Sequence, residues 1–198
     1  MKPRIAILIS GGGSNMISLV KSINANKINA VAAIVISNCK DANGLKRAND
    51  LSVPSKLIDQ KEFEGNQEFF EESLHETLKK ENIDIICLAG FMKILTKSFI
   101  DKWNNRILNI HPSLLPKYKG LNTHQRAIDA SDNKSGCSVH IVTAELDGGM
   151  VLGQKFVNID KNDTAQSLSK KVLIEEHKLY PEVLNKFIRD LDKSKKGR

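Results

Sequence analysis

The sequence predicts an α/β fold: an open, Rossmann-like, mostly parallel sheet with helices on both faces and an antiparallel strand pair toward the C-terminus. Short, continuous apolar runs alternate with segments of helical periodicity up to residue 111, as expected for parallel strands buried on both faces. Beyond that residue the pattern changes to two strand-like runs joined by a short polar return, and then to one long amphipathic segment.

In chain order, helical spacing of apolar residues follows Asn15 and recurs over Asn43–Leu51 and Gln67–Lys80. These helices separate the apolar runs of the parallel part. Thr164 is placed to cap the long final helix. The predicted strands are Arg4–Ser10, Val31–Ser37, Ser55–Ile58, Ile83–Ala89, Ile107–His111, Ser138–Val142 and Val151–Ile159.

Length and composition predict one domain over residues 1–190, followed by a basic, disordered tail over residues 191–198. The chain has 198 residues, of which 40% are hydrophobic, and so can bury a core without a disulfide or a metal. Of the net charge of +7, +4 lies in the last six residues, 193–198, and this distribution argues against nucleic-acid binding. Three separated cysteines and the lack of a membrane-length apolar run predict a cytoplasmic protein with free thiols.

A run of glycines, Gly11–Gly13, joins the first strand to the first helix. Glycines let the backbone approach a ligand closely, and the N–H groups that start a helix favour an anion such as phosphate. However, Met16 replaces the last glycine of a dinucleotide-binding loop, and Ser37-Asn38 stands where such a site has an acid. The segment Gly11–Asn15 therefore favours the phosphate of a mononucleotide over NAD; a tight turn that binds nothing is the alternative.

The segment around Asn109 and His111 carries the strongest chemical signal. These residues lie two apart on an extended strand, so their side chains emerge on one face. Pro112 cannot continue a central ladder, which places His111 at the strand end where open α/β sheets bind ligands. Because an amide can stabilise an oxyanion and an imidazole can transfer a proton, we predict a catalytic pair. A purely structural turn is the alternative.

A second polar cluster follows the strand predicted over Ser138–Val142. Glu145 and Asp147 lie in its return loop, where a carboxylate can hold water and favour a charged imidazole. A solvated turn is the alternative, and the role of His140 stays open between core and site. Neither a compact metal-ligand spacing nor a GxSxG elbow occurs, so we predict neither a metal site nor a serine hydrolase.

These segments resemble the signatures of the folate-dependent formyltransferases. The run from Asn109 to Gly120 is similar to the principal motif of that family, and Ser138–Gly149 resembles its second motif. Gly11–Asn15 and Ala89–Leu95 also match, so the resemblance extends over residues 4–187. It implies formyl transfer with 10-formyltetrahydrofolate as co-substrate and without a metal.

Within the family, the chain resembles the branch that formylates the amine of glycinamide ribonucleotide in de novo purine biosynthesis. Its length, its glycine loop and the segment Gly120–His124 agree with that branch. Methionyl-tRNA formyltransferases typically have an additional C-terminal domain, and formyltetrahydrofolate deformylases an N-terminal one. A deformylase, a formyltransferase for another amine and a non-catalytic nucleotide-binding module remain the alternatives.

The resemblance also implies roles for individual positions. Direct attack by the substrate amine would be assisted by the trio Asn109, His111 and Asp147. The substrate phosphate and ribose would be bound by Gly11, Gly12, Gly13, Ser14, Asn15 and Glu176. The folate pocket would be formed by Met92, Lys93, Ile94, Leu95, Ala144, Glu145 and Asp147.

Two positions depart from the family pattern. Asn66 stands near a position where the family often has a basic residue, and Met150 stands where a proline is common. The first departure puts one anion contact in doubt, and the second is expected to affect loop stiffness more than chemistry. The expected partners are the two small-molecule substrates, without nucleic acid or membrane, for a monomer or a homodimer.

Overall fold

The computed structural model describes residues 1–196 and contains a seven-stranded sheet. Its strands are β1 (Arg4–Ile9), β2 (Val31–Ser37), β3 (Ser55–Leu57), β4 (Ile85–Leu88), β5 (Ile107–His111), β6 (Lys134–Ile141) and β7 (Val151–Asn158). They lie in the order β3-β2-β1-β4-β5-β6-β7. The pairs among β1 to β5 are parallel, whereas β6 pairs antiparallel with both β5 and β7.

Helices occupy the connections and the C-terminal segment. They are α1 (Ser14–Asn24), α2 (Asn43–Asp50), α3 (Gln67–Lys80), α4 (Lys97–Lys102), α5 (Thr123–Asp129) and α6 (Ala165–Lys196), with a short 3-10 helix at Gln60–Phe63. The Thr164 hydroxyl accepts a hydrogen bond from the Ser167 N–H at 3.1 Å, which confirms the predicted cap of the last helix. No helix within residues 1–196 has the length and apolar character that a bilayer crossing requires.

Alternate residues of β1 enter two separate cores. Ile5, Ile7 and Ile9 pack on the face that α1 and α6 cover, whereas Ala6 and Leu8 pack on the face of α3. All five side chains are fully buried. The central strand is therefore apolar at every position, because both of its faces are covered by helices.

The predicted fold class is confirmed, including the antiparallel pair and the bounds of α3 and β5. The differences concern short or polar segments. Periodicity did not reveal α4 and α5, which have only six and seven residues. The sixth strand begins at Lys134, four residues before the predicted Ser138. The buried Ser135 and Gly136 pair with β7, but neither is a large apolar residue, so the apolar pattern did not include them.

The last helix extends through Lys196. It therefore enters the segment 191–196, which the sequence predicts to be part of a disordered tail. Nζ of Lys193 lies 3.9 Å from Oδ1 of Asp190, three residues earlier, and this spacing is compatible with a continued helix. Residues 197–198 lie outside the described residues, so disorder of the terminal segment stays a prediction.

Candidate active site

A cavity of about 790 Å³ lies against the end of β5. Four chain segments form its walls: residues 88–95, residues 109–112, residues 120–124 and residues 142–147. It contains Asn109 and His111 together with all seven residues predicted for a folate pocket. Large apolar side chains remain exposed around it, namely Met92, Ile94, Leu121 and Leu146.

His111 lies in the cavity wall with both ring nitrogens facing oxygen atoms. Its Nε2 is 2.9 Å from the Tyr118 carbonyl oxygen, and its Nδ1 is 3.3 Å from Oδ2 of Asp147. Burial lowers the pKa of His111 below its ordinary value, although the Tyr118 carbonyl and Asp147 act in the opposite direction. Only the imidazolium form can donate to both oxygens, so a proton that reaches this ring is stabilised by Asp147.

Asp147 contacts the Gly120 backbone and His140 in addition to His111. Its Oδ2 accepts a hydrogen bond from the Gly120 N–H at 2.9 Å, and its Oδ1 is 3.4 Å from Nε2 of His140. Burial raises the pKa of Asp147, but the contacts with His140 and Gly120 and the neighbouring imidazoles outweigh burial and lower it below its ordinary value. The side chain is therefore a carboxylate at neutral pH, beside the His111 ring.

The loop that presents Asp147 depends on a close backbone approach. A Cβ atom at Gly149 would lie 1.8 Å from the carbonyl oxygen of Ile141, so that position admits only glycine. The Met150 carbonyl oxygen then accepts a hydrogen bond from the Ile141 N–H at 3.0 Å. Asp147 itself has φ of 47°, a left-handed conformation that aspartate adopts more readily than most residues. The Gly-Gly pair thus lets the loop fold back toward β5.

The sequence left the role of His140 open between the core and the site. In the structure, His140 is part of the cluster with Asn109 and Asp147. It pairs with Asn109 across the antiparallel β5–β6 ladder, which brings its Nε2 to 3.2 Å from Nδ2 of Asn109. Its Nδ1 is 2.9 Å from the Ile141 carbonyl oxygen, so Nδ1 carries a hydrogen. In the neutral ring Nε2 then accepts from Asn109, whereas in the charged ring Nε2 donates to Asp147. His140 therefore fixes the orientation of the Asn109 amide.

The glycine loop lies outside the lining of this cavity but beside it. Gly13 has φ of 72° and starts α1, and the Gly11 carbonyl oxygen accepts a hydrogen bond from the Gly44 N–H at 3.0 Å. The Ser10 N–H donates to the Gly90 carbonyl oxygen at 3.0 Å, which joins this loop to the cavity wall. Within residues 1–196, the N–H groups of Gly11–Gly13 make no backbone hydrogen bond, so they are free to bind an anion.

Asn15 and Glu176, both predicted to contact the ribonucleotide, are in contact with each other beside this loop. Asn15 Nδ2 donates a hydrogen bond to Glu176 Oε2 at 2.6 Å, and both side chains are buried. Burial raises the pKa of Glu176, and the bond from Asn15 opposes this. The Oδ1 atom of Asn15 is buried without a hydrogen-bond partner in the described part of the chain, which leaves an acceptor for a ligand.

Two further observations concern residues outside the predicted set. His124 lines the cavity, its Nδ1 is buried without a partner among residues 1–196, and burial lowers its pKa. Asn66, one of the two departures from the family pattern, caps α3 by accepting a hydrogen bond from the Phe69 N–H at 3.1 Å. The sequence could not show that His124 faces the cavity, because α5 was not predicted.

Comparison with protein families matches residues 3–184 to the model of the formyl transferase family, and the chain belongs to that family. The phosphoribosylglycinamide formyltransferase of Haemophilus influenzae is 42% identical over 184 residues, which are 93% of this chain and 86% of that protein. The crystal structure of phosphoribosylglycinamide formyltransferase from Brucella melitensis matches with a TM-score of 0.90 and 42% identity, covering 95% of this chain and 96% of that chain.

A longer relative is also similar. The human trifunctional purine biosynthetic protein adenosine-3 is 41% identical over 183 residues, which are 92% of this chain. The chain spans less than a fifth of the length of such trifunctional relatives. The family resemblance inferred from the sequence motifs is thus confirmed.

Proposed function

We propose that this chain transfers the formyl group of 10-formyltetrahydrofolate to the amine of glycinamide ribonucleotide, a step of de novo purine biosynthesis. The observation that carries the proposal is that three features lie together at one edge of the sheet. These are the cluster of Asn109, His111 and Asp147, a cavity large enough for a drug-sized aromatic ligand, and a glycine loop with free N–H groups.

The cluster supports direct attack by the substrate amine. The amine nitrogen bonds to the formyl carbon, and the bond between that carbon and N10 of the folate then breaks. The Asn109 amide, oriented by His140, is positioned to donate to the developing oxyanion. The proton lost by the amine must finally reach N10, and the pair formed by His111 and Asp147 can hold it in between.

The lowered pKa of His111 supports this assignment of roles. A neutral imidazole in the resting site can take the amine proton, and the adjacent carboxylate then stabilises the imidazolium. The positive charge so formed lies beside Asn109 and adds to the stabilisation of the oxyanion. Protonated His111 is thus an intermediate state of the cycle in this proposal.

The two substrates would occupy adjoining subsites. In this proposal the folate ring system occupies the apolar part of the cavity, where Met92, Ile94 and Leu95 belong to one lining segment and Ala144 to another. The ribonucleotide phosphate fits the start of α1 at Gly11–Asn15, with Glu176 near the ribose. We further propose that the protein needs no metal, binds neither nucleic acid nor membrane, and acts in the cytoplasm as a monomer or homodimer.

A mixed assay tests the proposal. Purified protein is incubated with 10-formyltetrahydrofolate, with and without glycinamide ribonucleotide, and deformylation of the folate is followed by absorbance. We expect deformylation only when the ribonucleotide is present, with one formylated product per folate consumed. Formate release without an acceptor would instead identify a deformylase, and turnover with another amine alone would contradict the proposed acceptor.

A further inference from the structure

A buried carboxylate lies outside the cavity and is not used by the proposed reaction. Glu71 is on α3, and only 5% of its surface is exposed. Its contacts within residues 1–196 are hydrogen bonds rather than an ion pair. A buried carboxyl group loses its contacts with water, which is costly unless hydrogen bonds replace them, so an acidic side chain retained here requires an explanation.

Glu71 is bonded to the segment that precedes α4 and to Gln67 of its own helix. Its Oε1 accepts hydrogen bonds from the Thr96 N–H at 2.8 Å and from Gln67 Nε2 at 2.9 Å. Its Oε2 accepts a hydrogen bond from the Thr96 hydroxyl. Gln67 Nε2 also donates to the Ile94 carbonyl oxygen at 2.7 Å. The two side chains of α3 thus hold two backbone positions of one segment.

That segment is the irregular wall of the cavity. Residues 91–95 all line the cavity. Phe91 and Leu95 are also buried in the core, whereas Met92 and Ile94 between them are 71% and 67% exposed. The segment lies in neither a helix nor a strand, so regular backbone hydrogen bonds do not fix its shape. The segment is also held at Met92, whose N–H donates a hydrogen bond to the Ser10 hydroxyl at 2.7 Å.

We propose that Glu71 is a positioning residue for the formyl donor: it holds residues 92–95 in the shape that the folate ring system contacts. The inference rests on the proposed function for the identity of the donor. Glu71 is bonded to Thr96, which directly follows the lining residues 90–95, and to Gln67, which holds Ile94 of the lining. Glu71 itself is absent from the lining and is bonded to nothing in the glycine loop. Its loss should therefore weaken binding of the donor and leave binding of the acceptor unchanged.

Steady-state kinetics of two neighbouring variants test this inference. We expect Glu71→Ala to raise KM for 10-formyltetrahydrofolate about tenfold, equivalent to a loss of about 1.4 kcal/mol. KM for the acceptor should stay within about twofold, the range of a substitution without effect. Glu72→Ala is the matched control, because Glu72 is on the same helix but exposed and paired with Lys102 at 2.6 Å. That control should change neither KM.

Two further variants separate positioning from folding. Glu71→Gln should restore most of the donor affinity, because its amide can accept from the Thr96 N–H and donate to the Thr96 hydroxyl. If Glu71→Ala fails to fold, as judged by circular dichroism and thermal melting, Gln67→Ala removes the contact with Ile94 and one hydrogen bond to Glu71 but leaves Glu71 bonded to Thr96. It should raise the donor KM by a smaller factor. An equal rise of both KM values, or no rise in either, would overturn the inference.

Hydrogen exchange supplies a readout that does not depend on turnover. Without any substrate, the amides of residues 92–96 should exchange faster in Glu71→Ala than in the wild type and should be unchanged in Glu72→Ala. If the wild-type protein fails to use glycinamide ribonucleotide, the proposed function fails, yet the exchange experiment still applies. Unchanged exchange in Glu71→Ala would refute the positioning role by itself.

Discussion

The two subsites of the candidate site are built in opposite ways. At the end of β5, the side chains of Asn109, His111, His140 and Asp147 contact one another at 3.2 to 3.4 Å and are largely buried. In the loop Gly11–Gly13 there are no side chains, and the N–H groups make no backbone hydrogen bond within residues 1–196. One subsite is thus assembled before a ligand arrives, whereas the other offers its donors to the ligand.

Because of this difference, we expect each subsite to control a different kinetic quantity. Groups that are already oriented lower the barrier of the chemical step without a reorganisation cost, so their loss should reduce kcat. Backbone donors that bind a remote phosphate act on the substrate before the reaction, so their disturbance should mainly raise KM for the acceptor. Substitutions in the two regions therefore test whether the two subsites control different kinetic quantities.

The largest effect is expected in the side-chain cluster. Asn109→Ala, His111→Ala and Asp147→Ala should each reduce kcat by a factor of about 10² to 10⁴, because each removes a proton-transfer or oxyanion group. Single-turnover measurements on purified variants would check this, with circular dichroism to verify folding. Turnover near that of the wild type in a folded variant would exclude that residue from the catalytic trio.

A smaller effect on a different quantity is expected in the glycine loop. A Cβ atom at Gly13 would lie 2.9 Å from the Met16 side chain and 3.2 Å from Gly44, at a φ that disfavours alanine. Gly13→Ala should raise KM for the acceptor about tenfold, because misplaced donors lose a hydrogen bond to a charged group. Gly65→Ala is the control, since Gly65 has a similar φ but an open surrounding.

The outcome of that control decides the interpretation. Both variants should lose stability through backbone strain, and thermal melting would measure this loss. Only Gly13→Ala should change the acceptor KM, with the donor KM unaffected in both. A loss of kcat without a change of KM would mean that the loop serves the chemical step, and the contrast between the two subsites would then be wrong.

The pH dependence offers a finer test of the cluster. Because burial lowers the pKa of His111, kcat/KM should fall as the pH decreases through a value below 6.5, where the resting imidazole becomes protonated. Asp147 raises that pKa, so Asp147→Asn should move this acidic limb to lower pH in addition to reducing the rate. If the acidic limb stays at the same pH or moves to higher pH in Asp147→Asn, the group that titrates is not His111.

The smallest effect is expected at the C-terminus. Deletion of the residues after position 192 should leave kcat/KM within about twofold of the wild type, because the cavity walls that the described residues form lie between residues 88 and 147. The same assay with both substrates measures it. A folded truncated protein with much lower kcat/KM would show that this segment contributes to one of the subsites.

Some of these features could be predicted from the sequence and others could not, and the reasons are physical. Asn109 and His111 could be placed because the two-residue period of a strand and the following Pro112 fix their face and position. The pairing of Asn109 with His140 depends on the register of β5 and β6, which local patterns do not determine. Glu71 follows Phe70 on an amphipathic helix, so its sequence context could not distinguish a buried hydrogen-bonded acid from a surface one.

The exposed apolar side chains around the cavity have a thermodynamic consequence. Met92, Ile94, Leu121 and Leu146 face water in the free protein. A ligand with a large aromatic surface that covers them would remove that apolar area from solvent, which gives a negative change in heat capacity. The enthalpy of binding would then become more favourable with rising temperature, so calorimetry at several temperatures would report how much of this rim the ligand covers.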